Sequence, residues 1–160
     1  MKIVIDTNIV LDILLERKDY LENSLLSIKK AIDNGDRLFI SASSATDIYY
    51  IIRKHTGSRI IALDGLKKLA EIATFAEVND ECIYTALYSK LADFEDAVVD
   101  AVATSVSADV ILTRNTLDFA NSTNTIMAPI DFIKWQKPSC EGFFFFIYVF
   151  WISWFLKRLK

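Results

Sequence analysis

Apolar residues along the chain form short continuous runs and longer runs with helical spacing. The continuous runs predict buried strands at 2–6 (KIVID), 37–41 (RLFIS), within 74–80, at 108–115 (ADVILTRN) and at 124–128. The spaced runs predict helices at 9–17, 21–35, 43–57, 58–73, 81–92 and 93–107, and a last turn that opens at Pro129. Because strands and helices alternate and the clearest strands are apolar throughout, we expect an α/β fold, with a central parallel sheet of about four to five strands flanked by helices in three layers, α/β/α.

The composition divides the chain into two parts. With 160 residues, 52% of them apolar, and only 4 Gly and 2 Pro, the chain is typical of a single compact domain. Residues 143–156 differ from the rest, since they read FFFFIYVFWISWFL and are followed by KRLK. We therefore predict a domain at 1–135 and an atypical apolar and aromatic tail at 136–160.

The tail has several interpretations. As a helix, residues 143–156 would reach about 21 Å, short of the roughly 30 Å hydrocarbon core of a membrane. We interpret the tail first as the product of an altered reading frame or as a disordered segment. The alternatives are an interfacial membrane anchor and an apolar contact between protein copies.

The composition also excludes some chemistry. The only histidine is His55, which excludes a metal site built from several histidines. Cys82 and Cys140 match no zinc or redox spacing, so a reducing, cytoplasmic setting is expected. The start MKIVIDTN reaches an acid within six residues, and no export segment is expected there. A net charge of −3 neither favours nor excludes a polyanionic partner.

Polar clusters follow two of the predicted strands. In open α/β sheets, ligands bind beyond the carboxyl ends of the strands. Asp6, Thr7 and Asn8 follow the first strand, and Asp96 opens the helix before the strand ADVIL. Asp47 interrupts an apolar helical run. The candidates after ADVIL are Thr113, Arg114, Asn115 and Asp118.

Each candidate also has an ordinary structural role. Asp6 could cap the following helix, as could Thr7 or Asn8, and Asp96 could stabilise the positive end of its helix. Asp47 could face solvent. Asn115 and Asp118 are common turn residues.

Taken together, the acids favour a cation site. Asp96 and Asp100 are four residues apart and share a helical face, where like charges destabilise by roughly 0.2–0.5 kcal/mol. Several carboxylates in one cleft are stabilised by a cation, and sites built from oxygen alone favour Mg²⁺ or Mn²⁺. Such ions suit phosphodiester hydrolysis, because they attract the phosphate, activate water and stabilise the leaving oxygen.

Four segments, in this order, resemble PIN-domain proteins: IDTNIVLD, SATDIYYIIRK, DFEDAV and ILTRNTLDF. The similarity is greatest to small bacterial PIN proteins grouped with VapC-like toxins, and it extends over roughly residues 1–135. The resemblance implies a PIN-like fold and a ribonuclease whose carboxylates hold one or two Mg²⁺ or Mn²⁺ ions.

The resemblance also implies roles for individual residues. Asp6, Asp47 and Asp96 would be the catalytic acids and metal ligands. At the fourth acidic position this chain has Asn115, so Asp118 would supply the charge or the charge is absent. The supporting residues are Thr7 and Asn8, which orient Asp6, Asp93 as a helix cap, and Thr113 and Arg114 at the same edge. Asp100 is not a usual catalytic position, and we leave it open between an outer carboxylate and a surface residue.

We therefore predict a metal-dependent endoribonuclease that hydrolyses RNA and acts as the toxin of a type II toxin–antitoxin pair. The expected partners are RNA, a small antitoxin and a second copy of the chain. The alternative is a PIN-like module that binds RNA or protein without catalysis, motivated by Asn115 and by Asp rather than Glu at 47. A phosphatase with Asp6 as nucleophile is disfavoured, because Asn8 stands where such enzymes usually have a second Asp.

Overall fold

The computed structural model describes residues 1–135, so the predicted tail at 136–160 lies outside the described residues. The elements in chain order are β1 (Lys2–Ile5), α1 (Thr7–Leu14), α2 (Leu21–Asp33), β2 (Arg37–Ser41), α3 (Ser44–Thr56), α4 (Arg59–Ile72), β3 (Ala73–Ala76), α5 (Asp80–Leu87), α6 (Phe94–Ser105), β4 (Val110–Leu112), β5 (Ile126–Met127) and α7 (Pro129–Lys134). No helix within 1–135 is long and apolar enough to cross a membrane.

The strands form one parallel sheet in the order β3-β2-β1-β4-β5. The predicted α/β class with four to five parallel strands is confirmed. Strand β1 is central, and its residue Val4 lies opposite Phe39 of β2 and Ile111 of β4. The chain leaves β1 for β2 on one side and later returns to place β4 on the other. The connections therefore diverge between β1 and β4, which is where open α/β sheets bind ligands.

Helices cover both faces of the sheet, which explains why its strands are apolar throughout. Alternate residues of β1 point to opposite faces, so Ile3 and Ile5 join one buried cluster and Val4 joins the other. The first cluster packs against residues of α1–α4 and α7, and the second packs against α5 and α6. The result is the predicted three-layer arrangement.

Several predicted boundaries are wrong. The helix predicted at 81–92 ends at Leu87, and the strand predicted at 108–115 pairs only at Val110–Leu112. Thr7 and Asn8 lie inside α1, because Asp6 has extended backbone and occupies the N-cap position. The Asp6 side chain makes no capping hydrogen bond there, so its carboxylate serves another purpose.

Gly65, in the middle of α4, faces the side chains of α1 and α3. A methyl group at this position would lie 3.4 Å from the side chains of Ile52 and Leu14, at the lower limit of ordinary van der Waals contact. The glycine lowers the helix propensity of α4, and an alanine would fit here with little adjustment.

A lysine on α2 fixes the end of α7. The Lys30 ammonium group donates to the carbonyl oxygens of Phe132 at 3.0 Å and Ile133 at 2.8 Å, and also to that of Trp135. These carbonyls belong to the last turn of a six-residue helix, where the backbone acceptors have no helical partner. A cation at this end also interacts favourably with the helix dipole. Lys30 therefore stabilises α7 in its position against α2.

We expect Lys30→Met to lower the free energy of unfolding by about 1 kcal/mol, because the last carbonyls of α7 lose a charged donor. Urea unfolding of the full chain measures the change. Lys29→Met, one position earlier on the same helix, is the matched control and should change stability less. Equal effects of the two substitutions would contradict the role given to Lys30.

Candidate active site

The site is built at the carboxyl ends of β1 and β4. Asp6 follows β1 directly, and its backbone N–H donates to the carbonyl oxygen of Leu112 at 3.0 Å, which continues the pairing of the two strands. Thr113 follows β4 in the same way. The side chains of Asp6 and Thr113 therefore meet at the point where the sheet connections diverge, and both are buried.

Hydrogen bonds hold the Asp6 carboxylate in one orientation. The Thr113 hydroxyl donates to Asp6 Oδ2 at 2.6 Å, and the Asn8 amide donates to the same oxygen at 2.5 Å. The Asn8 amide also donates to Thr113 Oγ1 at 3.1 Å. Asn8 Oδ1 accepts from the backbone N–H of Arg114 at 3.3 Å, and Thr113 Oγ1 accepts from that of Asn115 at 3.0 Å. Asn8 thus contacts Asp6 as its predicted orienting role requires, and Thr113, predicted only to lie at the same edge, also donates to this carboxylate.

Helix α6 brings Asp96 to this carboxylate. The helix begins at Asp93, whose side chain accepts from the backbone N–H groups of Glu95 at 2.7 Å and Asp96 at 3.2 Å. Asp93 is therefore a true N-cap. Its helix is anchored by Ala97, Val98, Val99, Ala101, Val102 and Ala103, all buried. The apolar face of α6 fixes Asp96 in the first turn, next to the end of β1.

Ionisation is disfavoured at both carboxyl groups. Burial raises the pKa of Asp6, and the Thr113 hydrogen bond and the charge of Arg114 offset this only in part. Burial, together with the negative charges of Asp6, Asp93, Asp118 and Glu95, raises the pKa of Asp96 to about 7. Both shifts disfavour the charged forms, so a cation placed between these groups would be strongly attracted.

A cleft of about 160 Å³ opens over these acids. Its lining includes Asp6, Asp96, Asp47 and Glu95, with Ser43, Ser44 and Phe94 at its walls. Asp47 lies in the first turn of α3, across from α6, and is partly exposed. Burial and the negative charges of Asp47 and Asp93 raise the pKa of Glu95. The Asp47 carboxylate on α3 is therefore close enough to repel that of Glu95 on α6. All three predicted catalytic acids therefore line one cleft.

Within residues 1–135, no group of three acidic, His or Cys side chains is close enough to hold a metal ion together. The cleft therefore offers at most two carboxylates to one ion, and among the charged groups Asp6 contributes most to the raised pKa of Asp96. Mg²⁺ commonly binds through one or two carboxylates and keeps several waters, so this donor set is compatible with a hydrated Mg²⁺ ion.

The remaining predicted residues lie around the cleft rather than in its lining, with one exception. Thr7 lines the cleft. Asn115 and Asp118 are exposed and do not line it, although the charge of Asp118 contributes to the raised pKa of Asp96.

Asp100 does not line the cleft either. Its carboxylate accepts from Ser122 Oγ and, at 2.8 Å, from Asn124 Nδ2, so it holds the loop before β5.

Arg114 is oriented away from the acidic cleft. Its Nε lies 3.0 Å from Oδ2 of Asp12, and its guanidinium group lies 3.9 Å from the ring centre of Tyr20. Asp12 is fully buried and also accepts from Ser24 Oγ at 3.0 Å. Arg114 thus compensates a buried charge, as buried acids require.

Two residues of this region escaped the sequence prediction. Asp12 interrupts the apolar run IVLDILL just as Asp47 interrupts its own helix, and that shared pattern could have indicated a buried acid. Glu95 follows a capping Asp and looks like an ordinary first-turn acid. Only the fold, which places the starts of α3 and α6 along one cleft, brings Glu95 to that cleft.

Sequence comparison agrees with this geometry. The family profile described as PIN domain matches residues 2–117. The chain belongs to the PIN-domain family. No protein of curated function matches it in sequence.

Solved structures with a similar fold include two VapBC complexes and FitAB. VapBC2 from Rickettsia felis, bound to a DNA fragment from its promoter, matches with a TM-score of 0.63 and 14% identity over 80% of this chain and 98% of that one. VapBC-1 from nontypeable Haemophilus influenzae matches with a TM-score of 0.60 and 17% identity over 81% and 99%. FitAB bound to the IR36 DNA fragment matches with a TM-score of 0.58 and 17% identity over 79% and 94%. The PIN fold therefore extends over most of the chain.

We expect Asp96→Asn to raise the melting temperature of the metal-free PIN domain at about pH 8. Because the pKa of Asp96 rises from 3.8 to about 7 on folding, its carboxylate costs stability above pH 3.8, and the cost is complete above pH 7. The gain from Asn should therefore shrink as the pH falls towards 4. Thermal unfolding of the full chain in EDTA at several pH values measures it.

Asp33→Asn, which removes an exposed acid from α2, is the matched control and should show no such pH-dependent gain. An Asp96→Asn variant that melts no higher than the parent at pH 8 would show that burial and the neighbouring charges do not disfavour the ionised form of Asp96.

Proposed function

We propose that this PIN-domain protein is a Mg²⁺- or Mn²⁺-dependent endoribonuclease and the toxin of a toxin–antitoxin pair. The observation that carries the proposal is the pairing of Asp6 with Asp96 at the edge of the sheet. Two carboxyl groups with raised pKa values are held together there by rigid elements, at a cost in stability that a bound cation would remove. Membership of the PIN-domain family supports nuclease chemistry in general.

The donor atoms suit a hard divalent cation. Asp6 and Asp96 would hold it directly, with Asp47 and Asp118 reaching it through water. Glu95, on the cleft wall beside Asp96, could take part in the same way. When bound, the ion would supply positive charge to the phosphodiester and lower the pKa of an attacking water.

The protein's own residues would orient the reaction. Thr113 and Asn8 keep the Asp6 carboxylate fixed, which limits the reorganisation needed when the substrate enters. A deprotonated Asp47 or Glu95, facing the cleft from α3 and α6, could accept a proton from the attacking water. The active form would have Asp96 ionised, a state that the cation favours.

The proposed partners follow from fold and surface. The fold is similar to those of VapBC-type complexes, which motivates a small antitoxin that covers the acidic cleft. A second copy of the chain is a further proposed partner. Tyr84, Leu87 and Tyr88, at the end of α5, are large apolar side chains exposed on the surface. The proposed RNA substrate places the activity in the cytoplasm.

One observation favours a second candidate function, that of a PIN-like module that binds RNA without cleaving it. Within residues 1–135, three acids do not come close enough to hold one ion together. Calorimetry with Mn²⁺ separates the two functions. Binding that Asp96→Asn weakens supports the nuclease, and absence of binding at millimolar Mn²⁺ supports the module.

We expect the full chain to cleave single-stranded RNA with Mn²⁺ or Mg²⁺ and not with EDTA. Asp6→Asn and Asp96→Asn should each lower the rate about 100-fold or more, because each removes a charged oxygen from the proposed cation site. Gel analysis of labelled RNA under single-turnover conditions measures the rates.

Asp33→Asn, which removes a distant exposed acid, is the control for loss of charge alone and should cleave at the parent rate. Circular dichroism checks that each variant is folded. Full activity in both site variants would exclude this mechanism, as would cleavage that continues in EDTA.

The toxin role predicts that expression of the chain arrests bacterial growth and that Asp6→Asn abolishes the arrest. Co-expression of a small protein encoded beside the gene should restore growth, because an antitoxin blocks the cleft. Growth curves of cells that express the parent chain, the variant or the pair of proteins measure the effect. Unimpaired growth at high expression of an RNA-cleaving protein would remove the toxin role and leave the nuclease.

A further inference from the structure

A second cleft of about 200 Å³ lies on the other side of Arg114. We call it the Tyr20 cleft. Its lining is formed by Tyr20, Asn23, Ser24, Arg114, Ala128, Pro129 and Ile130. One wall carries an aromatic ring and a guanidinium group, and another is the apolar start of α7. Asn23, near the start of α2, adds an exposed amide.

The aromatic wall is rigidly supported. The guanidinium group of Arg114 stacks over the Tyr20 ring at 3.9 Å, while Nε of Arg114 is held 3.0 Å from the buried Asp12. Ser24 and Arg17 approach the same acid at 3.0 and 3.5 Å. Tyr20 nevertheless keeps 46% of its surface exposed. A large aromatic side chain is thus presented to solvent on a fixed support.

The Tyr20 cleft is connected to the acidic cleft by two hydrogen bonds. The backbone N–H of Arg114 donates to Asn8 Oδ1 at 3.3 Å, and the Asn8 amide donates to Asp6 Oδ2 at 2.5 Å. The backbone of Arg114 therefore helps to orient the acid, while its side chain lines the Tyr20 cleft. The segment that orients Asp6 thus also carries one wall of the Tyr20 cleft, and a polymer that occupies both clefts would run along this segment.

We propose that the Tyr20 cleft binds one base of single-stranded RNA, next to the phosphate cleaved over Asp6 and Asp96. The inference rests on the proposed nuclease function and adds to it a subsite for the substrate. The base would stack on the Tyr20–Arg114 wall, and the Asn23 amide would hydrogen-bond its polar edge. Bases splayed out from single strands are recognised through aromatic rings, guanidinium planes and amides of this kind.

Other ligands fit the lining less well. A free phosphate would meet an arginine whose charge is already offset by Asp12 at 3.0 Å. A purely apolar ligand would make no hydrogen bond to the Asn23 amide or to the guanidinium group. A nucleobase has both a flat apolar face and a polar edge, which matches the two kinds of surface in the cleft.

The test combines kinetics with a measurement of position. In the full chain, Tyr20→Ala and Tyr20→Leu should raise KM for single-stranded RNA about tenfold with kcat little changed, and Tyr20→Phe should keep the parent KM because it still stacks. Asn23→Ala, which alters an exposed residue and leaves the aromatic wall intact, should raise KM and change the preferred base. Tyr50→Ala, which removes an exposed tyrosine from α3, is the matched control.

Position is read by photo-cross-linking RNA that contains 5-iodouridine to the full-length Asp96→Asn variant, followed by mass spectrometry. A cross-link at Tyr20, together with the KM changes, supports the proposal. If the parent chain cleaves RNA but Tyr20→Ala and Asn23→Ala leave KM unchanged, the base subsite is wrong and the nuclease stands. If the parent does not cleave RNA but the Asp96→Asn variant cross-links at Tyr20, the base subsite stands and the nuclease is wrong. Protection of Tyr20 by the antitoxin alone, with no cross-link to RNA, would assign the cleft to a protein partner and overturn the proposal.

Discussion

The hydrogen bond from Thr113 to Asp6 organises this protein. It joins the ends of two neighbouring parallel strands and links residues that are 107 positions apart in the chain. Because Asp6 follows β1 and Thr113 follows β4, the bond forms only when these two strands are paired. The orientation of the buried carboxylate therefore depends on contact between distant segments and not on any local one. Asn8, which donates to Asp6 and accepts from the chain after Thr113, strengthens the same junction.

The acidic cleft lowers the free energy of unfolding of the domain. Asp96 is held against Asp6 although its charge is disfavoured there, and α6 compensates by burying the apolar face that follows. A helix with the same acids and a weaker apolar face would tilt outward and relieve the repulsion. Firm packing thus preserves an arrangement that electrostatics alone would open, which is common where proteins hold reactive or ion-binding groups.

Sequence reasoning succeeded where the information is local. The apolar strands, the capping role of Asp93 and the placement of Asp6 at a strand end all follow from short patterns and from rules for parallel sheets. It failed where the answer depends on contacts between distant segments. Nothing near Arg114 in sequence indicates that its side chain turns towards Asp12, and nothing near Glu95 indicates that α3 will face it. The boundaries of short strands failed for a related reason, since pairing partners and not apolar runs determine where a strand ends.

Two acids on consecutive turns of helix α6 interact with two different parts of the fold. Asp96 faces the strand ends, and Asp100 holds Ser122 and Asn124 in the loop before β5. An inserted or deleted residue between them would rotate one about 100° relative to the other. The three residues between the two acids can thus be replaced by other small apolar residues, but their number cannot change. Divergence in this lineage should accordingly accumulate in the surface loops, while the spacing of α6 stays constant.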